Sequence, residues 1–62
     1  MTEPLPHILV VDDHRDVREP LAKYLARSDY RVSVAEDAAA ARRVLARQAI
    51  DLVVLDVMMP GE

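Results

Sequence analysis

The sequence predicts an α/β fold in the order β-α-β-α-β, with parallel strands. Two uninterrupted aliphatic runs, Ile8 to Val11 and Leu52 to Leu55, have the pattern of strands buried on both faces. Helical-period stretches lie between the strand segments and are long enough for right-handed crossovers. Both runs end on carboxylates, the first on Asp12 and Asp13 and the second on Asp56.

Residues 1–6, with Pro4 and Pro6, read as a flexible lead-in. Ile8 to Val11 form the first strand. Val17, Leu21, Tyr24, Leu25 and Ser28 then recur at helical spacing, which predicts an amphipathic helix over 15–27 with those residues inward and a Glu19–Lys23 pair outward. An interior proline costs ~3 kcal/mol or more, so Pro20 is tolerated if Asp16 lies close to the N-cap, at the expense of a local kink and an irregular first turn. Arg31 to Ala35 is a shorter strand, and its alternation through Val32 and Val34 suits a sheet edge. Asp37 caps a second helix running from Ala38 through Val44 and Leu45 to about Gln48, favoured by its alanines. Ile50 to Leu55 form the third strand, and Met58-Met59-Pro60-Gly61 turns the chain out of it.

A chain of 62 residues buries only about 60% of the surface its unfolded form exposes. It has no cysteine, so neither a disulfide nor a thiolate metal site supplements the core, and a cytoplasmic location is expected. Hydrophobic residues make up 52% of the sequence, yet Tyr24 and Tyr30 are the only aromatics, so the core must be aliphatic. The net charge of −3, with eight basic residues scattered among eleven acidic ones, argues against direct nucleic-acid binding. No apolar stretch approaches the ~20 residues of a membrane span, and the N-terminus lacks a signal-peptide pattern. With Gly61 as the only glycine, neither a P-loop nor a Rossmann phosphate cradle can form.

If the two aliphatic strands are neighbours, Asp12, Asp13 and Asp56 converge beyond their carboxyl ends, where open α/β sheets bind ligands. Like charges brought together there destabilise the fold unless a cation joins them. Oxygen-only ligands suit a hard ion, with Mg²⁺ the best candidate.

In these residues the chain resembles the receiver domain of bacterial response regulators in two-component signalling. The resemblance is carried by Val10-Val11-Asp12-Asp13, by Leu52-Val53-Val54-Leu55-Asp56 and by the turn Met58-Met59-Pro60-Gly61, and it covers His7 to Glu62. It implies that residues 7–62 are a truncated receiver domain, the N-terminal half of a flavodoxin-like doubly wound parallel sheet of strand order 2-1-3-4-5. It implies that Asp56 is the phosphoacceptor, attacking the phosphorus of a sensor histidine kinase's phosphohistidine or of a small acyl phosphate to give an aspartyl phosphate. Mg²⁺ would be held by Asp13 directly, by Asp12 largely through water, by Asp56 and by the backbone carbonyl of Met58. Such a chain is a phosphoacceptor and not an enzyme. The family's phosphoryl-contacting hydroxyl and lysine, its aromatic switch residue and its output surface belong to the half beyond the third strand. Lys23, the only lysine, lies on the first helix and does not replace the missing one. Many relatives with this turn continue into a winged-helix DNA-binding domain, which these residues do not encode.

Other polar residues stand outside the implied site. Asp51 begins the third strand, away from the crevice, and is expected to be only solvated. His14 adjoins the acidic pair, but a hard cation prefers oxygen and the family does not ligate through this position. Arg15 is expected to pair with Asp16 or Glu19, and Arg42, Arg43 and Arg47 to form the solvated face of the second helix. The alternative function is a non-catalytic fragment that pairs its open β-edge or first helix with a kinase or another receiver. The free edge at Leu52 to Leu55 is expected to leave the isolated chain partly folded and prone to self-association.

Overall fold

A computed structural model of the protein describes residues 5–55. In chain order it contains β1 (His7–Val11), α1 (Arg15–Arg27), β2 (Arg31–Ala35), α2 (Ala38–Arg47) and β3 (Leu52–Leu55). The strands are parallel in the order β2-β1-β3, so the predicted β-α-β-α-β arrangement is observed.

β1 is the centre of the sheet. Ile8 to Val11 pair with Val32 to Ala35 on one side and with Leu52 to Leu55 on the other. Strand side chains alternate between faces, so Leu9 and Val11 share one face while Ile8 and Val10 share the other. Leu9 and Val11 join Ala35 and Ala41 in the core, with Ala40, Val44 and Ile50 packed around them. Right-handed crossovers from β1 outward to β2, then back past β1 to β3, put the two helices on opposite faces. α1, which packs on β1 and β2, therefore covers Ile8 and Val10. Neither helix packs on β3 within the described residues.

α2 begins as predicted, with the Asp37 carboxylate accepting from Ala40 N at 2.8 Å. The start of α1 differs from expectation. His14 and not Asp16 holds the N-cap position, without a side-chain cap, and Asp16 sits in the first turn, where its charge suits the helix N-terminus. The His14 carbonyl accepts from both Val17 N at 3.1 Å and Arg18 N at 2.9 Å, so the first turn mixes tight and regular bonds, and the helix continues past Pro20 to Arg27.

The inward stripe of α1 is also rotated from the prediction. Arg18, Leu21, Ala22 and Leu25 are half-buried, while Val17, Tyr24 and Ser28 are exposed. Arg18 can take an inner position because its stem covers apolar surface while its head reaches a polar partner. Glu19 does not pair with Lys23; it accepts from Arg15 Nε at 2.7 Å, which makes Glu19 the partner of Arg15. At the C-terminus Asp29 adopts φ 67°, and Tyr30 N reaches back to Leu25 O at 3.3 Å in a Schellman-type closure.

β1 starts one residue earlier than predicted and β3 two residues later. His7 joins the ladder opposite Arg31 of β2, and Asp51 is tied to His7 and is not merely solvated. The Asp51 carboxylate accepts from His7 N at 2.8 Å, and Asp51 N donates to His7 O at 2.8 Å. The His7 ring is buried, with Nε2 2.7 Å from Ser33 Oγ.

Candidate functional site

The site starts where β1 runs out. Asp12 continues the backbone direction of β1, and its N–H donates to Ala35 O at 3.1 Å, so the residue stays moored to β2 after the ladder ends. The residue is 4% exposed. One carboxylate oxygen, Oδ1, accepts from His14 N at 2.8 Å, a turn closure that places Asp12 beneath the start of α1. The Asp12 carbonyl accepts from Arg18 Nη1 at 2.9 Å.

Asp13 and His14 project from the outer side of the same turn. His14 Nδ1 lies 2.9 Å from Asp13 Oδ1 and 3.3 Å from Asp12 Oδ1. One ligand atom from each of Asp12, Asp13 and His14 lies within 4.8 Å of the others. Burial separates the two acids: the side chain of Asp12 is 6% exposed and that of Asp13 is 33% exposed. Two carboxylates on one turn fit a hard divalent cation by donor chemistry. The imidazole competes for the same oxygens, since it contacts one oxygen of each acid.

On the exposed face of α1 beside this turn, the hydrogen bond from Arg15, and then its charge, hold the Glu19 carboxyl below the usual glutamate range. Glu19 raises Arg15 in turn.

Of the predicted site residues, the structure brings Asp12 and Asp13 together at the end of β1. Asp56 and Met58 lie outside the described residues. Within the described residues the ladder pairs Val11 of β1 with Leu55 of β3. Sequence reasoning missed Arg18 and underrated His14. The sequence signal for Arg18 was a charged residue on the i, i+3, i+4, i+7 stripe with Leu21, Ala22 and Leu25.

The family described as "Response regulator receiver domain" matches residues 8–62. The chain is 51% identical over 57 residues to the protein PetR of Rhodobacter capsulatus, covering 92% of this chain and 24% of that protein. It is 51% identical over 53 residues to the response regulator MprA of a Mycobacterium species, covering 86% of this chain and 23% of the relative. The transcriptional activator protein PfeR of Pseudomonas aeruginosa is 40% identical over 58 residues, covering 94% of this chain and 19% of that protein. The chain thus spans about a quarter or less of the length of these curated relatives. No solved structure gives a significant match.

Proposed function

The chain belongs to the response regulator receiver family, and from that premise we propose that it is a phosphoacceptor module of a two-component relay, taking a phosphoryl group from a histidine kinase onto Asp56. The observation that supports this most is the parallel pairing of β1 with β3 in register through Val11 and Leu55. It sets side by side the two residues, Val11 and Leu55, that in sequence precede Asp12 and Asp56. In the proposed reaction an Asp56 carboxylate oxygen forms a bond to phosphorus as the bond to the donor histidine nitrogen breaks, leaving the kinase imidazole as the departing group.

Asp12 and Asp13, with Asp56 and the Met58 carbonyl, would hold Mg²⁺. When bound, the ion would neutralise charge on the transferring oxygens. Asp13, with the more exposed carboxylate, is suited to direct ligation, while buried Asp12 is suited to orienting water from beneath. The Asp12 turn is fixed to both β2 and α1, which pre-orients both acids before a cation arrives.

The module is not itself an enzyme in this reading, and its setting is the cytoplasm, where a sensor kinase presents its phosphohistidine. No helix among the described residues is long and apolar enough to cross a membrane. One relative is named a transcriptional activator, and a DNA-binding output joined to this unit is the matching proposal for the protein as a whole.

The test is incubation with a small acyl phosphate and Mg²⁺, followed by intact-mass measurement. Gain of one phosphoryl group by the wild type, lost in Asp56→Asn and strongly reduced in Asp13→Ala, is the expected result. Label retained by Asp56→Asn would overturn the assignment. A second reading, an interaction piece that pairs its open edge with a kinase or another receiver, is favoured by the exposure of Leu52, Val53 and Leu55 on β3. Kinase binding that survives Asp56→Asn and fails in Val53→Lys would select it.

A further inference from the structure

Arg18 is the charged member of the half-buried stripe of α1, and its guanidinium is directed to a backbone atom of the acidic turn. We propose that Arg18 is a positioning residue for the Asp12–Asp13 pair, holding the Asp12 carbonyl so that the two carboxylates are presented together. This role deepens the phosphoacceptor reading and rests on the pair being a Mg²⁺ site.

The hydrogen bonds around Asp12 carry the inference. On the N-terminal side of the residue, its N–H is held by Ala35 O of β2 at 3.1 Å. On the C-terminal side, its carbonyl has left the strand ladder, because β1 ends at Val11. A carbonyl at a buried residue needs a partner, and Arg18 Nη1 supplies it at 2.9 Å. The third tie, His14 N to Asp12 Oδ1 at 2.8 Å, joins the Asp12 side chain to the N-cap residue of α1 and does not engage the carbonyl. Arg18 thus ties the turn's carbonyl to the body of α1, as Ala35 ties its N–H to β2. Its place in the helix suits this role, because helical side chains lean toward the N-terminus, here toward the acidic turn. A guanidinium also carries several donors on a planar head, which fixes direction better than a single ammonium.

Two physical effects of removing this side chain have opposite signs, and this makes the proposal decidable. Taking a positive charge away from two carboxylates should tighten cation binding through simple electrostatics. Releasing the Asp12 carbonyl should loosen the turn and weaken binding, as the loss of outer-shell support does at metal sites.

The experiment is Mg²⁺ titration of the 62-residue chain, followed through the ¹H–¹⁵N amide signals of Asp13 and His14, for wild type, Arg18→Met and Arg18→Lys. Arg18→Met keeps an apolar stem over the sheet and removes donor and charge. It is expected to weaken Mg²⁺ binding roughly tenfold. Arg18→Lys, which keeps a donor and the charge, should recover part of the loss. Phosphorylation by a small acyl phosphate should fall in Arg18→Met at low Mg²⁺ and return at saturating Mg²⁺, a split that a purely structural role would not produce. Binding by Arg18→Met as tight as wild type, or tighter, would overturn the proposal. If the wild type itself ignores Mg²⁺, the reading of the site fails, and the His14 amide then decides Arg18 separately. Faster exchange of that amide in Arg18→Met upholds the positioning role, and unchanged exchange overturns it.

Discussion

β1 and β3 are adjacent strands of nearly the same chemistry, yet their environments are opposite. In the ladder Leu9 stands beside Val53 and Val11 beside Leu55, but Leu9 is 0% exposed and Val53 42%, Val11 1% and Leu55 51%. β1 has a strand on each side and a helix over each face, whereas β3 has one ladder and no helix within the described residues. Apolar content therefore does not confer burial; cover does. Full burial of a Leu or Val side chain is worth about 1.5–3 kcal/mol, and that gain accrues to β1. The acidic turn grows from the supported strand, which is why Asp12 can be held by β2 and α1 together.

The largest test of this contrast is a pair of truncations across one ladder position. Leu9→Ala should cost ~2–5 kcal/mol, enough to abolish cooperative folding in so small a chain. Val53→Ala, its ladder partner, should cost under about 1 kcal/mol, as at other exposed sites. Denaturant titration followed by circular dichroism at one protein concentration measures both. Equal losses would mean that β3 is covered in solution, and the contrast would break.

Next comes the clasp at the opposite end of the two strands. Asp51→Ala removes the carboxylate that accepts from His7 N and should cost about 1 kcal/mol. Amide exchange sharpens the comparison here. Amides of β3 and that of Leu9, which faces β3, should lose protection first, while those of Ile8 and Val10, which face β2, should change little. Simultaneous loss at Ile8 and Val10 would show that the sheet opens as one unit.

A smaller energetic effect with a visible consequence is expected on the exposed side of β3. Val53→Lys should move the melting midpoint little, yet suppress concentration-dependent association, because charge on an open strand disfavours edge pairing. Sedimentation at several concentrations reads this directly. Association unchanged by the substitution would remove β3 as the route of self-contact.

These contrasts also explain what could be read from the residues alone. The aliphatic run before Asp12, the Asp37 cap and the alanines of α2 are local signals, and each appears where its chemistry puts it. The proximity of Asp12 and Asp13 follows from adjacency in sequence. What escaped depends on distance or rotation. Asp51 meets His7 across 44 positions, a pairing that no local pattern encodes. Arg18 was overlooked because a charge on a helix is read as outward until the helix is oriented. Val17 and Tyr24 were placed inward by the same error, since one residue of helix is enough to turn an apolar side chain out to solvent. His14 was set aside on ligand preference, although its ring contacts both acids.

The smallest effect concerns α1, which covers the Ile8 and Val10 face of β1 but no part of β3. Its first turns carry the Arg15–Glu19 pair at 2.7 Å, and Glu19 is held below the usual glutamate range by that hydrogen bond and charge. A carboxyl lowered on folding contributes stability above its unfolded value, and that contribution is lost as the pH falls through the folded value. Both side chains are exposed, so the contribution is slight and salt screens it. At low salt, acidification below the ordinary glutamate value of 4.5 should therefore reduce amide protection at Ile8 and Val10 slightly more in wild type than in Glu19→Gln. β3 should not register the difference, and high salt should erase it. If Glu19→Gln loses the same protection over the same range, other carboxylates set the acid limit, and the cover over β1 owes nothing to this pair.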